Sequence, residues 1–252
     1  MGFIAFLSQA FSIHLHEFAA SSAPPAPGPG PSPSPSPSPP SNKGIDLFDF
    51  GAAGVKPWRV TNDPVMGGRS KSTFVVGSDA AGAKNVGLFS GDVAIVPSLK
   101  APGFCNAFVE IAAVDMAAYD AIEIMVRSHG ALTAFKSSWS GKDVPKDPDC
   151  HHPGCGETPG SYKAAFNVTQ VAATGPVQRI VIPWSAYTYK WSDFTGGCTD
   201  HGAVCCSSAH PEVCPTFNSR KALSSTSQIG IWGEGTAGDF ALDIFSVRAI
   251  KL

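Results

Sequence analysis

Beyond residue 44 the chain alternates apolar and polar positions in short runs, and no stretch sustains the 3.6-residue spacing of an amphipathic helix. The runs predict strands near Ile45–Phe50, Thr73–Val76, Val86–Val96, Phe104–Ala113 and Ala121–Arg127. Five more follow near Leu132–Ser138, Tyr162–Val168, Val177–Pro183, Gln228–Trp232 and Phe240–Ile250. Strands of this number, punctuated by Gly, Pro, Asp and Ser clusters, predict an all-β, two-sheet jelly-roll sandwich around one core. Two segments break the even spacing, Gly141–Gly160 and Ser192–Ser225. They read as long cysteine-rich inserted loops, of a length that commonly carries function or a covalent staple.

The front of the chain has a different character. Residues 1–20 hold a short, interrupted apolar run followed by Ala19 and Ala20, and read as a secretory signal segment. A mitochondrial presequence is rich in Arg and poor in acids, whereas this segment has no Arg and contains Glu17. Residues 21–44, dominated by Ser-Pro alternation, read as a spacer in polyproline conformation at about 3.1 Å per residue. Residues 45–252 form the expected sandwich domain.

Charge narrows the function classes. With 18 Lys and Arg against 20 Asp and Glu, scattered along the chain, there is no electrostatic footprint for a phosphate backbone, so nucleic acid is not an expected partner. No segment is long and apolar enough for a membrane span. Gly51-Ala52-Ala53-Gly54 lacks dinucleotide-binding spacing, and neither a Gly-x-Ser-x-Gly elbow nor a His-Glu-x-x-His helix occurs. No cofactor and no catalytic residues are expected.

Of the 7 cysteines, Cys105 shares a strand face with Ala107, Val109 and Ile111 and reads as a buried free thiol. The remaining Cys150, Cys155, Cys198, Cys205, Cys206 and Cys214 lie in the inserts and read as disulfides, with the pairing open. The same inserts carry His151, His152, His201 and His210, so a zinc site is the alternative chemistry, and with it a zinc-dependent hydrolase. Asn167-Val168-Thr169 is an N-glycosylation acceptor in a secreted chain.

Two stretches are candidates for binding. Trp58 to Ser70 reads as a loop: Asn62-Asp63-Pro64 signals a turn, Met66 offers an adaptable apolar contact, and Gly67-Gly68 permits positive φ or close backbone approach before Arg69 and Ser70. If extended, Tyr187-Thr188-Tyr189-Lys190-Trp191 puts Tyr187, Tyr189 and Trp191 on one face, a platform on which a sugar ring stacks or which roofs the sandwich edge.

The spacing Trp58-x3-Asn62-Asp63-x-Val65-Met66-Gly67-Gly68-Arg69-Ser70 resembles the opening signature of the complex I intermediate-associated protein family. Phe89-Ser90-Gly91-Asp92-Val93 is similar to its second block. Pro102-Gly103-Phe104-Cys105-Asn106-Ala107 resembles its Gly-Gly-Phe-Ala-Ser block, with Pro102 in place of the first Gly. Tyr119 to Arg127, Ile180 to Ser185, and Ile229-Gly230-Ile231 with Phe240 to Ile244 are similar to later blocks in the same order. The resemblance implies a galactose-binding-like sandwich and a non-catalytic assembly or binding role toward a protein partner, in the namesake on mitochondrial respiratory complex I. Because the front end and the cysteines point outside the cell, the expectation is a secreted protein- or glycan-binding module. The alternative is a mitochondrial, chaperone-like complex I assembly factor.

Overall fold

The computed structural model describes residues 44–52, 56–63, 67–145, 160–191 and 220–252. Strands β1 (Gly44–Phe48), β3 (Lys71–Gly77), β4 (Val86–Val93), β8 (Ala121–Ser128), β11 (Gln178–Pro183) and β13 (Gly238–Ile250) build one antiparallel sheet, in the order β11-β8-β13-β4-β3. The long β13 serves two partners on one edge, pairing β4 through Ile244 and β1 from Val247 onward. The second sheet has the order β10-β9-β12-β7-β2. It comprises β2 (Arg59–Asn62), β7 (Phe104–Val114), β9 (Ala134–Gly141), β10 (Ser161–Asn167) and β12 (Thr226–Glu234). A hairpin of β5 (Ile95–Val96) and β6 (Ala101–Pro102), a 3-10 turn at Trp184–Ala186 and a single helical turn, α1 (Arg220–Leu223), complete the regular elements of the described residues.

Period-two alternation selects the core. Ile122, Ile124 and Val126 of β8, Leu242 and Ile244 of β13 and Phe89 of β4 face Cys105, Ala107 and Val109 of β7, Phe135 and Trp139 of β9 and Ile229 and Ile231 of β12. All of these are essentially inaccessible to water. A register shift between Ile244 and Ser246 returns the core face to Val247 and Ala249, and Phe245 turns outward under the Arg127 guanidinium. Arg127 in turn reaches Asp79 at 2.6 Å and the carbonyls of Ala173 and Gly175, so it pins two loops to the outer face of the first sheet.

The expected strands are present with two differences. Arg59–Asn62 is a strand, not the start of a loop, because β7 offers a free edge that pairs Arg59 with Phe108 and Asn62 with Cys105. The run Val86–Val96 breaks at Ala94 into β4 and the short β5.

That break belongs to a junction between the sheets. Asp63 ends β2 and is fully buried; its carboxylate accepts hydrogen bonds from the Ser70 amide at 2.9 Å and the Ser70 hydroxyl at 2.6 Å. The Ser70 hydroxyl oxygen accepts from the Ala94 amide at 2.9 Å, and the Ala94 carbonyl accepts from the Gly103 amide at 2.9 Å. The backbone of Gly68 and of Gly103 lies directly against the carboxylate, and a Cβ on either would overlap it. Gly67, by contrast, has open space and φ of +78°, so its requirement is conformational. Of the Pro102-Gly103 pair only Gly103 is sterically compelled, and Pro102 is accommodated in β6 opposite Ile95.

Asp63→Ala strands buried donors, and Gly103→Ala forces a methyl into the carboxylate; each should cost about 1–3 kcal/mol in denaturant unfolding. Because Asp63→Ala removes the atoms that the Gly103→Ala methyl strikes, the double variant should be markedly less destabilised than the sum; additivity would refute the steric account. The buried Cys105 thiol, pushed up to about 12 chiefly by desolvation, should resist alkylation at neutral pH until the domain is unfolded, as peptide mapping of labelled protein would show.

Candidate ligand-binding face

The same alternation that fills the core leaves a second set of side chains on the outer face of the sheet β10-β9-β12-β7-β2. On β12, Ile229 and Ile231 point inward, so Trp232 and Glu234 point out. Cross-strand register then places Lys136 of β9 and Asn106 of β7 on either side of Trp232, Phe104 opposite Glu234, and Lys163 of β10 opposite Ser138. These residues come from strands far apart in sequence and meet only through pairing.

Lys163 sits at the centre and is 3% exposed. Its ammonium lies 3.3 Å from the ring centroid of Trp191 and 3.6 Å from that of Trp232, and is 2.9 Å from the Glu234 carboxylate. Glu234 also takes Lys136 at 3.0 Å. Burial alone would raise the Glu234 carboxyl, but the charges and hydrogen bonds of Lys163 and Lys136 outweigh it and hold the group below the usual carboxylate range. The indole N–H of Trp232 donates to Ser138 Oγ at 2.8 Å, and that of Trp191 donates to the Ser161 carbonyl at 3.3 Å. Both rings are therefore held at their faces by the cation and at their edges by a hydrogen bond.

Trp191, Trp232 and Phe104 form a continuous row of half-buried aromatics. Trp191 and Trp232 centroids are 5.9 Å apart at 61°, and Phe104 and Trp232 are 5.6 Å apart at 51°. Phe108, also half-buried, extends the apolar surface along β7. Such a row offers flat π-faces rimmed by Ser, Asn, Lys and Glu. It can stack an apolar ring face and hydrogen-bond its substituents.

Of the residues singled out in the sequence, Trp191 belongs to this row, but its two expected companions do not. Tyr187 is fully buried and its hydroxyl bonds Ser137 at 2.9 Å; burial pushes that hydroxyl above the usual phenol range. Tyr189 packs edge-on against Tyr162 at 5.6 Å, on the margin of the core. The anticipated three-ring platform fails because the segment after Pro183 is not a continuous strand. It makes a 3-10 turn at Trp184–Ala186 and then follows the edge of β10, bridging Lys163 and Thr188.

The stretch from Trp58 to Ser70 also departs from a ligand surface. Trp58 is buried and stacks on Phe74 at 4.5 Å, and Asp63 and Ser70 are buried in the junction between the sheets. Asn62 is half-buried beside Ser72, whereas Gly67 and Arg69 are exposed. Met66 lies outside the described residues, as do Cys150, Cys155, Cys198, Cys205, Cys206 and Cys214 with the histidines of the inserts. Asn167 is exposed at the end of β10. Among the described residues no cluster of His, Cys, Asp or Glu is arranged to hold a metal ion, and no helix is long and apolar enough to cross a membrane.

Lys136, Lys163, Trp232 and Glu234 carry no short motif, which is why sequence reasoning passed over them. The signal available was indirect: an indole and a carboxylate at the outward positions of the strongly apolar strand Gln228–Trp232 and its extension.

Solved structures share the architecture. The solution structure of CtCBM11 aligns at a TM-score of 0.50 with 12% identity, over 83% of this chain and 96% of that one. The family 11 carbohydrate-binding module of Clostridium thermocellum, in complex with a β-1,3-1,4-mixed-linked tetrasaccharide, aligns at 0.49 with 13% identity over 84% and 98%. At its identity the CtCBM11 alignment shows the fold alone, a two-sheet β-sandwich of the jelly-roll kind. No curated protein sequence matches the chain. The family model described as complex I intermediate-associated protein 30 matches residues 48–193, a span that contains the Asp63 junction, β7 and the strands of Lys136 and Lys163. By that match, more than half its length, the chain belongs to the complex I intermediate-associated protein 30 family.

Proposed function

We propose that the chain is a non-catalytic binding module that receives a carbohydrate on the outer face of the β10-β9-β12-β7-β2 sheet. The observation that carries this reading is the aromatic row Trp191-Trp232-Phe104, with its two indoles fixed by Lys163 and its rim lined by hydrogen-bonding groups. Sugar rings present C–H faces that stack on such rings and hydroxyls that take up the polar rim, while a rigid platform avoids an ordering cost on binding. Lys163 and Glu234 act here as positioning residues.

The module acts outside the cell in this reading, supported by the signal-like residues 1–20, the Pro/Ser spacer 21–44 and the even number of cysteines in the inserts, which pair as disulfides in this reading. The exposed side chains of Asn167 and Thr169 are accessible to glycosylation. Family membership supports a second reading, in which the same face engages a protein during assembly of respiratory complex I in mitochondria.

Titration calorimetry against a panel of oligosaccharides should show binding that Trp232→Ala and Trp191→Ala each weaken at least tenfold, about 1.4 kcal/mol, at a temperature where circular dichroism shows both variants still folded. Tyr187→Phe should lower stability and leave affinity unchanged. No binding to any oligosaccharide, together with co-purification of complex I subunits, would establish the second reading instead.

The Glu234 ion pairs also set a pH window. Because the folded carboxyl titrates below its unfolded value, its contribution is complete above the unfolded value and is lost as pH falls through the lower folded value. Stability should therefore receive this contribution undiminished through neutrality and lose it in acid, and Glu234→Gln should be less stable at neutral pH with a shallower acid limb in denaturant unfolding.

A further inference from the structure

Asn106 is 8% exposed, and its side-chain oxygen is buried with no hydrogen-bond partner among the described residues. It is an outward position of β7, between Cys105 and Ala107, which both face the core. Its cross-strand partners are Thr61 on β2 and Trp232 on β12, and Phe104 and Phe108 stand two residues away on the same face. An amide is thus set among three half-buried aromatic rings, beside the indole that Ser138 and Lys163 hold in place. Keeping an amide oxygen from water without a partner destabilises the free chain, and native structures rarely leave such a group unanswered.

We propose that Asn106 is the specificity-determining residue of this face, and that it selects neutral pyranosides by turning its amide outward to engage two adjacent ring hydroxyls, one donating to the amide oxygen and one accepting from the amide N–H. The inference rests on the carbohydrate reading above. An amide supplies an acceptor and a donor side by side, which matches a vicinal diol stacked on Trp232. It offers no charge for a carboxylate or sulfate. The nearby Lys163 ammonium does not offer one either, since it is engaged by Glu234 and both indoles and is almost wholly buried. The class read by Asn106 is therefore a neutral sugar; Lys136 is held by Glu234, and Arg59, exposed beside Phe108 on the same face, is the cation that an acidic chain would reach instead.

The test uses the full chain, calorimetry with neutral β-glucan and with uronic-acid oligosaccharides, and thermal unfolding of each variant. Wild type should bind the neutral set. Asn106→Leu should lose at least tenfold in affinity while its melting temperature holds or rises, because a buried orphan acceptor is removed. Asn106→Asp, which keeps the shape and the acceptor but not the donor, should lose affinity and preference together. If wild type binds neutral sugars and Asn106→Leu binds them equally well, this assignment is overturned while the carbohydrate reading stands. A melting temperature lowered by Asn106→Leu with affinity intact overturns it likewise and marks the amide as structural. Binding of only acidic chains also overturns it, and absence of all sugar binding by wild type overturns both.

Discussion

The buried carboxylate of Asp63 is the constraint on which the two-sheet arrangement turns. It ties the end of β2 in one sheet to Ser70 at the start of β3 in the other, and the passage from β4 toward β7 is hooked to it through Ser70 and Ala94. A carboxylate without water must be answered by donors; Ser70 supplies both, and its hydroxyl in turn draws in the Ala94 segment, to which Gly103 is bonded. The glycines at 68 and 103 follow from that convergence, since no side chain fits between those segments and the carboxylate. Once the two passages are locked, β2 is held at the edge of β7 and the register of the second sheet follows.

That register decides what the outer face carries. Strand pairing brings Lys136, Lys163, Trp232, Glu234 and Asn106 within reach of one another although they arise from four strands. A buried cation and a half-buried one facing one buried carboxylate would be costly in an apolar setting, but two indole faces supply further stabilisation to Lys163. The other sheet treats part of its outer face differently: Arg127, paired with Asp243, pins Asp79 and the carbonyls of Ala173 and Gly175, so loops cover that part of the face. The contrast sets a loop-covered patch on one sheet against an aromatic surface on the other.

The hydrophobic alternation made most of the fold legible. Phe104 to Ala113, Tyr162 to Val168 and Phe240 to Ile250 could be read as strands, and Cys105 as a core thiol, because burial on one face imposes a period that survives in the sequence. β2 was not legible, since Arg59-Val60-Thr61-Asn62 has no apolar period and becomes a strand by borrowing hydrogen bonds from β7. The aromatic pentapeptide from Tyr187 misled for the opposite reason. Its alternation is present, but a 3-10 turn and the edge of β10 determine where each ring goes, sending Tyr187 inward and Trp191 outward.

The family signature shows the same division. The order of residues from Trp58 to Ser70 was sufficient to identify the family, and turn chemistry at Asn62-Asp63-Pro64 was sufficient to mark a chain reversal. Its dense packing of specialised residues suggested a binding surface, whereas the structure uses Trp58, Asp63 and Ser70 in the interior. Sequence by itself determined the fold class, the core faces and the family, because these depend on local periodicity and on short-range order. Only the tertiary structure decided which side chains share the outward face of the second sheet. That grouping is set by cross-strand register, which joins residues a hundred or more positions apart, such as Phe104 and Glu234, and leaves no local mark in the chain.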